Sequence, residues 1–305
     1  MAAIEVVDLA KTYGDLKAVD GVSLEVAEGE FVGILGPNGA GKTTTLEMIE
    51  GLRRPDGGSV TVLGEPVWPR NAGLLPRMGV QLQASSFFER LTAREQIHTF
   101  ASMYGVPASA ADDWLERVGL AGAGASTDKA ETRVEDLSGG QAQRLSIACA
   151  LVHDPEVVFL DEPTASLDPQ ARRNLWDLLS GLNDSGRTVV LTTHYMDEAE
   201  VLCDRVAIMD AGRVLQVDTP AALVRGLDAP ARITVAPGQL DADAARAIAG
   251  VDDVTASVDG VVLTTRRPGP VLAHLAENDV LDGVRVQTGT LEDVFLELTG
   301  REYRA

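Results

Sequence analysis

The sequence has little cysteine, few aromatic residues and no long apolar run. Its two cysteines, Cys149 and Cys203, have neither C-x-x-C spacing nor a neighbouring histidine cluster, which argues against a zinc site or a disulfide framework. No stretch approaches the ~18 to 20 apolar residues that cross a bilayer, and the first residues lack the basic start and apolar core of a signal peptide. We therefore expect a cytoplasmic chain with reduced thiols.

Positive charge is also scarce. The sequence contains 26 Lys and Arg residues and 46 Asp and Glu residues, which gives a net charge of −20. Nucleic acid and anionic lipid would repel such a chain. We expect no nucleic-acid partner, and membrane contact only through another protein. A length of 305 residues predicts roughly two domains.

A glycine-rich segment carries the first chemical signal. The apolar run 31–35 predicts a buried strand, the segment GPNGAGKTT follows at 36–44, and a helix is predicted over 42–49. This order matches the phosphate-binding motif G-x-x-x-x-G-K-[ST] in its strand, loop, helix context. Backbone N–H groups and the helix N-terminus would hold a triphosphate, Lys42 would reach the outer phosphates, and the Thr43 hydroxyl would bind Mg²⁺. The candidate binding residues are Gly36, Pro37, Asn38, Gly39, Ala40, Gly41, Lys42, Thr43 and Thr44.

A second strand ends in two carboxylates. The apolar run 157–160 predicts a strand buried on both faces, and such strands present ligands at their C-terminal ends, where Asp161 and Glu162 stand. Adjacent strand residues point to opposite faces. We therefore expect Asp161 to face Mg²⁺ and Glu162 to polarise an attacking water.

A third segment, LSGGQ at 137–141, precedes a helix whose apolar residues recur at near-helical spacing, so its start suits an anion. One triphosphate needs only one phosphate loop. The segment resembles the signature of ATP-binding cassette (ABC) proteins, in which two cassettes enclose two ATP molecules. The resemblance implies that Ser138, Gly139, Gly140 and Gln141 cap the γ-phosphate of a partner, which is a second copy or a related ABC subunit.

The resemblance extends over residues 1 to about 220 and assigns further roles. Tyr13 matches the aromatic residue that stacks on adenine. Gln83 matches the Q-loop glutamine, which touches Mg²⁺ or the attacking water, with Gln81 as a competing choice. Residues 166–168, with Asp168, match the D-loop at the dimer interface. His194 matches the switch histidine that contacts the γ-phosphate.

The pattern of predicted elements divides the chain near Gly226. Residues 1–226 read as an α/β P-loop NTPase core of the ABC type, with a helical subdomain inserted at about 85–136, where the membrane partner docks in this family. Residues 228–305 read as strand, helix, strand, strand, helix, strand and a closing amphipathic stretch. This order predicts a small α+β, ferredoxin-like C-terminal domain.

Three segments, 47–58, 87–97 and 289–302, resemble ATPases paired with antibiotic and daunorubicin-type exporters. That resemblance implies an ATP-hydrolysing motor subunit that works with a separate transmembrane permease, on the inner face of the membrane. Its cargo would be a drug-like or other hydrophobic compound. An importer subunit remains the alternative, and a soluble ABC ATPase outside transport is a further one.

Overall fold

The computed structural model describes residues 2–82, 87–122, 128–165, 167–184, 186–227, 230–258 and 260–300. They form two compact units, of which the first ends at Pro220 and the second begins at Ala221. The domain boundary after Gly226 stays a prediction.

The first unit contains two sheets and the helices that cover them. Its strands are β1 (Ala2–Tyr13), β2 (Leu16–Ala27), β3 (Phe31–Leu35), β4 (Gly57–Val62), β5 (Glu65–Pro66), β6 (Met78–Gln81), β7 (Val157–Asp161), β8 (Thr188–Thr193), β9 (Arg205–Asp210) and β10 (Arg213–Asp218). Its helices are α1 (Lys42–Ile49), α2 (Ala93–Met103), α3 (Ala108–Arg117), α4 (Gly139–Leu151), α5 (Pro169–Asp184) and α6 (Met196–Leu202).

The larger sheet has the strand order β10-β9-β3-β8-β7-β6. β10 runs antiparallel to β9, and the other neighbouring pairs are parallel. Every residue of β3, β7 and β8 is buried, as expected where helices or a second sheet cover both faces. The carboxyl ends of β3, β7 and β8 therefore meet at one edge, where ligands of such sheets bind.

The smaller sheet is antiparallel, with the order β2-β1-β4-β5. Its inward residues, those of α1 and those of the larger sheet share one apolar core, which includes Val6, Leu24, Ile34, Leu46, Val60 and Phe159. This core fixes α1 between the two sheets.

Helices α2 and α3 occupy the segment for which the sequence predicts a helical insertion. Thr92 caps α2: its hydroxyl accepts from the Glu95 N–H, and the Glu95 carboxylate accepts from the Thr92 N–H. This reciprocal pair satisfies two backbone donors that a helix start leaves unpaired. Among the described residues, no helix is long and apolar enough to span a bilayer.

The second unit has the element order that the sequence predicts. Its elements are α7 (Pro220–Gly226), β11 (Ala231–Val235), α8 (Ala242–Arg246), β12 (Asp253–Ser257), β13 (Gly260–Thr265), α9 (Pro268–Glu277), β14 (Arg285–Gln287) and α10 (Leu291–Thr299). The sheet order is β12-β13-β11-β14, and all neighbours are antiparallel. One core, with Ile233, Ala245, Leu263, Val271 and Leu275, joins the sheet to α8 and α9.

Candidate functional site

The phosphate loop connects β3 to α1 through close backbone approaches that only glycine allows. A Cβ atom at Gly36 would lie 2.2 Å from the Met209 carbonyl oxygen, and one at Gly41 would lie 2.3 Å from the Ala18 carbonyl oxygen. Gly41 also has a φ of 100° at the helix start, a left-handed conformation that costs glycine little. The loop is thus held against its neighbours by backbone packing.

Lys42, the first residue of α1, is buried and spans this loop. Its Nζ donates to the carbonyl oxygens of Gly36 (2.9 Å) and Pro37 (3.3 Å) and lies 3.2 Å from Glu162 Oε1. The ammonium group is therefore held inside the loop, where a triphosphate would need a cation.

Asp161, the last residue of β7, meets two hydroxyl groups. Its Oδ1 accepts from Thr43 Oγ1 at 3.2 Å and from Thr192 Oγ1 of the neighbouring strand β8. Burial raises the pKa of Asp161, and the hydrogen bonds from Thr192 and Thr43 oppose that shift.

The Thr43 and Asp161 pair fits Mg²⁺, because the ion prefers hard oxygen ligands and binds through few protein groups, with phosphates and waters completing its shell. Among the described residues, no group of three or more His, Cys, Asp or Glu could hold a metal by itself.

The backbone at Glu162 departs from the strand alternation that predicted opposite directions for Asp161 and Glu162. β7 ends at Asp161, and Glu162 has a φ of 47°, so the backbone leaves the strand conformation between the two carboxylates. Its N–H donates to the Thr192 carbonyl and hydroxyl oxygens at 3.1 and 3.0 Å. Both carboxylates therefore face the phosphate loop, Asp161 at Thr43 and Glu162 at Lys42.

His194 follows β8 and joins the same cluster. Its Nδ1 lies 3.3 Å from Glu162 Oε2, and both side chains are largely buried. The structure thus brings Lys42, Glu162 and His194 together from three separate segments. A carboxylate beside a lysine and a histidine can orient and deprotonate a water.

Tyr13, at the end of β1, is 42% exposed. A cleft of about 450 Å³ connects it to the phosphate loop, and its lining also includes Lys42, Thr43, Thr44 and Glu162. The guanidinium carbon of Arg53 lies 5.5 Å from the centre of the Tyr13 ring. An exposed ring beside the loop can stack on a base.

The predicted Q-loop residue, Gln83, lies outside the described residues, as does Ser166 of the predicted D-loop. The competing Gln81 is the last residue of β6, is 1% exposed and donates through Nε2 to the Leu82 carbonyl oxygen at 2.6 Å. The choice of Gln83 stays a prediction.

The signature segment forms the capped start of α4. The Ser138 hydroxyl accepts from the Gln141 N–H at 3.3 Å, and the Gln141 side chain accepts from the Ser138 N–H at 2.9 Å. Ser138 and Gly139 are exposed, and a Cβ at Gly139 would meet nothing within 4 Å. Among the described residues, none of 138–141 lines the cleft with the phosphate loop. An anion at this helix start would therefore come from outside the cleft.

Asp168 caps the next helix. Its Oδ1 accepts from the N–H groups of Gln170 (3.0 Å) and Ala171 (2.9 Å) at the start of α5. The predicted D-loop residue thus fixes where α5 begins.

Thr192 is a site residue that the sequence reasoning missed. Its hydroxyl donates to the Asp161 carboxylate, and its carbonyl oxygen accepts from the backbone N–H of Glu162, so it fixes the Asp161 side chain and the Glu162 backbone. A polar residue just after the apolar run 189–191 was the available signal, since the ends of neighbouring parallel strands meet.

Comparison with protein families gives a match to the ABC transporter family over residues 19–165. Two relatives share the name Nod factor export ATP-binding protein I. The one from Burkholderia orbicola (strain AU 1054) is 40% identical over 318 residues, which cover 99% of this chain and 98% of that protein. The one from Rhizobium sp. (strain N33) is 37% identical and covers 98% of each.

Solved structures show the same fold. The dimeric ATP-binding cassette MJ0796, in a post-hydrolysis state bound to ADP and Pi, matches with a TM-score of 0.64 at 29% identity, over 71% of this chain and 98% of that one. The protein cbiO1 from Clostridium perfringens, part of the ABC transporter complex cbiONQ, matches with a TM-score of 0.65 at 28% identity, over 74% of this chain and 91% of that one. The predicted ABC-type α/β core is confirmed.

Proposed function

This chain belongs to the ABC transporter family of ATP-binding proteins, and from that premise we propose that it hydrolyses ATP to drive an exporter whose membrane-spanning path lies in a separate permease. The observation that carries the proposal is the cluster of Lys42, Asp161, Glu162 and His194 at the carboxyl edge of the parallel strands.

Nucleotide binding rests on the loop and on Tyr13. The backbone of residues 36–44 and the Lys42 ammonium hold the phosphates, and the Tyr13 ring stacks on the adenine. The exposure of Tyr13 and its place in the same cleft support this assignment.

Thr43 and Asp161, with Gln83 as the further ligand, would hold Mg²⁺. A metal there would supply charge stabilisation at the transferred phosphoryl group. The hydrogen bond between Thr43 and Asp161 supports this role, because it already brings two oxygen ligands together.

Glu162 acts as the general base towards the attacking water, and His194 contacts the γ-phosphate. Lys42 and His194 contact the two carboxylate oxygens of Glu162 from different segments, so the carboxylate is oriented before the nucleotide arrives. Such preorganisation lowers the cost of reaching the transition state.

Two cassettes pair during the cycle. Residues 138–141 of one copy, or of a related subunit, complete the other's site across the interface, with Asp168 beside it. Two observations support this: Ser138 and Gly139 are exposed, and residues 138–141 do not line their own chain's cleft, while MJ0796 is dimeric. Binding and release of the γ-phosphate then bias the pair between closed and open states.

The relatives support export as the direction of transport. Proteins named for Nod factor export match over 98–99% of this chain, so the likeness includes the second unit. This favours an exporter over an importer. The chain would work at the inner face of the membrane, docked on its permease through the helical subdomain.

Replacing Glu162 with Gln tests the chemistry. Glu162→Gln keeps the shape but removes the basicity, so hydrolysis should slow by roughly 10² to 10⁴ while ATP binding survives. Glu156→Gln is the matched control, because Glu156 precedes the other end of β7 and pairs with Arg77 on the surface. The measurements are single-turnover hydrolysis and calorimetric ATP affinity. If Glu162→Gln hydrolyses ATP at the wild-type rate, Glu162 is not the general base.

Purification of the tagged Glu162→Gln protein from its host, in mild detergent with ATP, tests the permease. Mass spectrometry should identify a co-purifying polypeptide with several membrane-spanning helices. Recovery of ribosomes, or of a substrate-binding lipoprotein, would instead indicate a non-transport ATPase or an importer.

A further inference from the structure

Three side chains form a continuous stack that ends at the switch histidine. The guanidinium carbon of Arg172 lies 3.8 Å from the centre of the Tyr195 ring. The Tyr195 ring centre lies 4.1 Å from that of His194, at an interplanar angle of 40°. His194 Nδ1 also lies 3.3 Å from Glu162 Oε2. The imidazole therefore contacts both the Tyr195 ring and the Glu162 carboxylate.

Arg172 brings α5 into this stack. It lies in the first turn of α5, and its side chain is only 18% exposed, with Nη1 4.0 Å from Asp197 Oδ2. A cation so close to an aromatic face is attracted to it, and more strongly when the pair is removed from water. Arg172 thus restricts the Tyr195 ring, and the ring restricts His194.

A second contact fixes the same pair of helices. Trp176 lies one turn after Arg172, so both face the same side of α5, and its Nε1 donates to Glu198 Oε1 in the first turn of α6 at 3.1 Å. α5 therefore contacts this segment at two places: at Tyr195, just before α6, and at Glu198, in the first turn of α6.

The first turn of α5 also meets the signature helix. A Cβ built on Gly140 would lie 3.5 Å from Ala171 Cβ, which is ordinary van der Waals contact. Asp168 caps this same turn. The turn that holds Arg172 is thus in contact with the segment that would engage a partner's nucleotide.

We propose that Arg172 and Tyr195 are positioning residues through which α5 orients His194 for hydrolysis. The proposal rests on the role proposed above for His194 at the γ-phosphate. Neither residue touches the nucleotide in this role. Each acts by reducing the orientations that the imidazole can take.

The first test measures the imidazole directly, without nucleotide. In NMR spectra of the full-length chain, the His194 ring C–H signals are assigned by their loss in His194→Ala. Tyr195→Leu removes the ring current of Tyr195, and Arg172→Gln removes the cation that packs on the Tyr195 ring, so both should shift the His194 signals. Tyr195→Phe keeps the aromatic ring and Arg172→Lys keeps the cation, so these variants should shift the signals less. Unchanged His194 signals in both Tyr195→Leu and Arg172→Gln would overturn the proposal.

The second test separates positioning from folding. Tyr195→Leu and Arg172→Gln should each lower kcat by about tenfold to a hundredfold, since small misplacements of reacting groups have effects of this size, with the Kd for ATP unchanged. In a His194→Ala background the same changes should have little further effect, because residues that act through one group are not additive. Arg117→Gln is the control, as it removes a cation–π pair with Trp114 (5.0 Å) in the helical subdomain.

The outcomes distinguish this inference from the proposed function. Wild-type turnover by His194→Ala would refute the role of His194 itself. A slow His194→Ala protein beside fully active Tyr195→Leu and Arg172→Gln proteins would refute the positioning role alone. Additive losses in the double variants would also overturn it. If Tyr195→Leu does not fold, Arg172→Gln and Arg172→Lys carry both tests.

Discussion

At the scale of single residues, two buried carboxylates of the nucleotide-binding core differ in their surroundings. Asp161 has two hydroxyl donors that offset its burial. Glu50, at the C-terminal end of α1, is 4% exposed, and neither of its carboxylate oxygens has a hydrogen-bond partner among the described residues. Burial raises the pKa of Glu50 to about 8, and repulsion from Asp161 and Glu47 adds to the effect. Folded Glu50 therefore keeps its proton at neutral pH.

The raised pKa of Glu50 predicts a pH dependence of stability. The ordinary pKa is 4.5 and the folded one about 8, so the folded state binds more protons between these values, and the free energy of unfolding falls as pH rises through them. At about 1.4 kcal/mol for each unit of pKa difference, the loss is of the order of a few kcal/mol by pH 9.

In Glu50→Gln this loss should shrink, as measured by urea unfolding at several pH values from 5 to 9. Glu131→Gln is the control, because Glu131 is exposed and pairs with Arg94 in the helical subdomain. The tested quantity is the change in the free energy of unfolding with pH, and not the stability of Glu50→Gln at a single pH. An unchanged pH slope in that variant would show that Glu50 is not the titrating group.

At the scale of elements, the start of α4 has the properties of an anion site that its own chain does not use. Its exposed N-terminus presents backbone N–H groups and a positive dipole end. The Ser138 and Gln141 side chains already stabilise the helix start, so the helix does not depend on a ligand to form. Ser138→Arg also removes this hydroxyl cap, so circular dichroism should first show that the variant is folded.

Blocking this helix start should prevent pairing. With Mg²⁺ and ATP, Glu162→Gln should accumulate as a nucleotide-bound dimer, because it binds but does not hydrolyse. Adding Ser138→Arg places a bulky cation at the exposed start of α4 and should return the protein to a monomer in light scattering. Adding Gln143→Arg, further along α4, is the control and should leave the dimer intact. A dimer that persists with Ser138→Arg would place the interface elsewhere.

At the scale of the whole molecule, the two units have separate apolar cores. Every described residue of the proposed nucleotide site lies in the first unit. The second unit is shared with the export ATP-binding proteins, whose matches cover nearly the whole chain. The proposed nucleotide site and the C-terminal sheet therefore belong to different compact units.

Truncation tests that separation. A chain ending after Gly226 keeps both sheets of the first unit and α7, so it should be soluble and bind ATP with wild-type affinity. A chain ending after Leu202 is the control: it loses β9, which pairs with β3 beside the phosphate loop, and should not fold. Aggregated or molten material from the longer truncation would show that the second unit completes the core of the first.

The local features of this protein follow from short stretches of sequence. The phosphate loop, the start of α4 and the helix from Lys42 to Ile49 depend on neighbouring residues, because glycine conformations, helix caps and backbone donors act within a few positions. Strand and helix patterns also predicted the element order after residue 228 and the α/β character of the first unit, since burial of one face imposes a period on the sequence. The export resemblance came from short segments of the same kind.

Only the tertiary structure decided how these parts meet. Alternation along β7 predicted different faces for Asp161 and Glu162, but alternation holds only while the backbone stays extended, and Glu162 turns to a positive φ. The contacts of Glu162 with Lys42 and His194, and the stack of Arg172 on Tyr195, join segments far apart in the chain. Such contacts follow from the adjacency of β3, β8 and β7 and from the packing of α5 on α6, which no local pattern encodes.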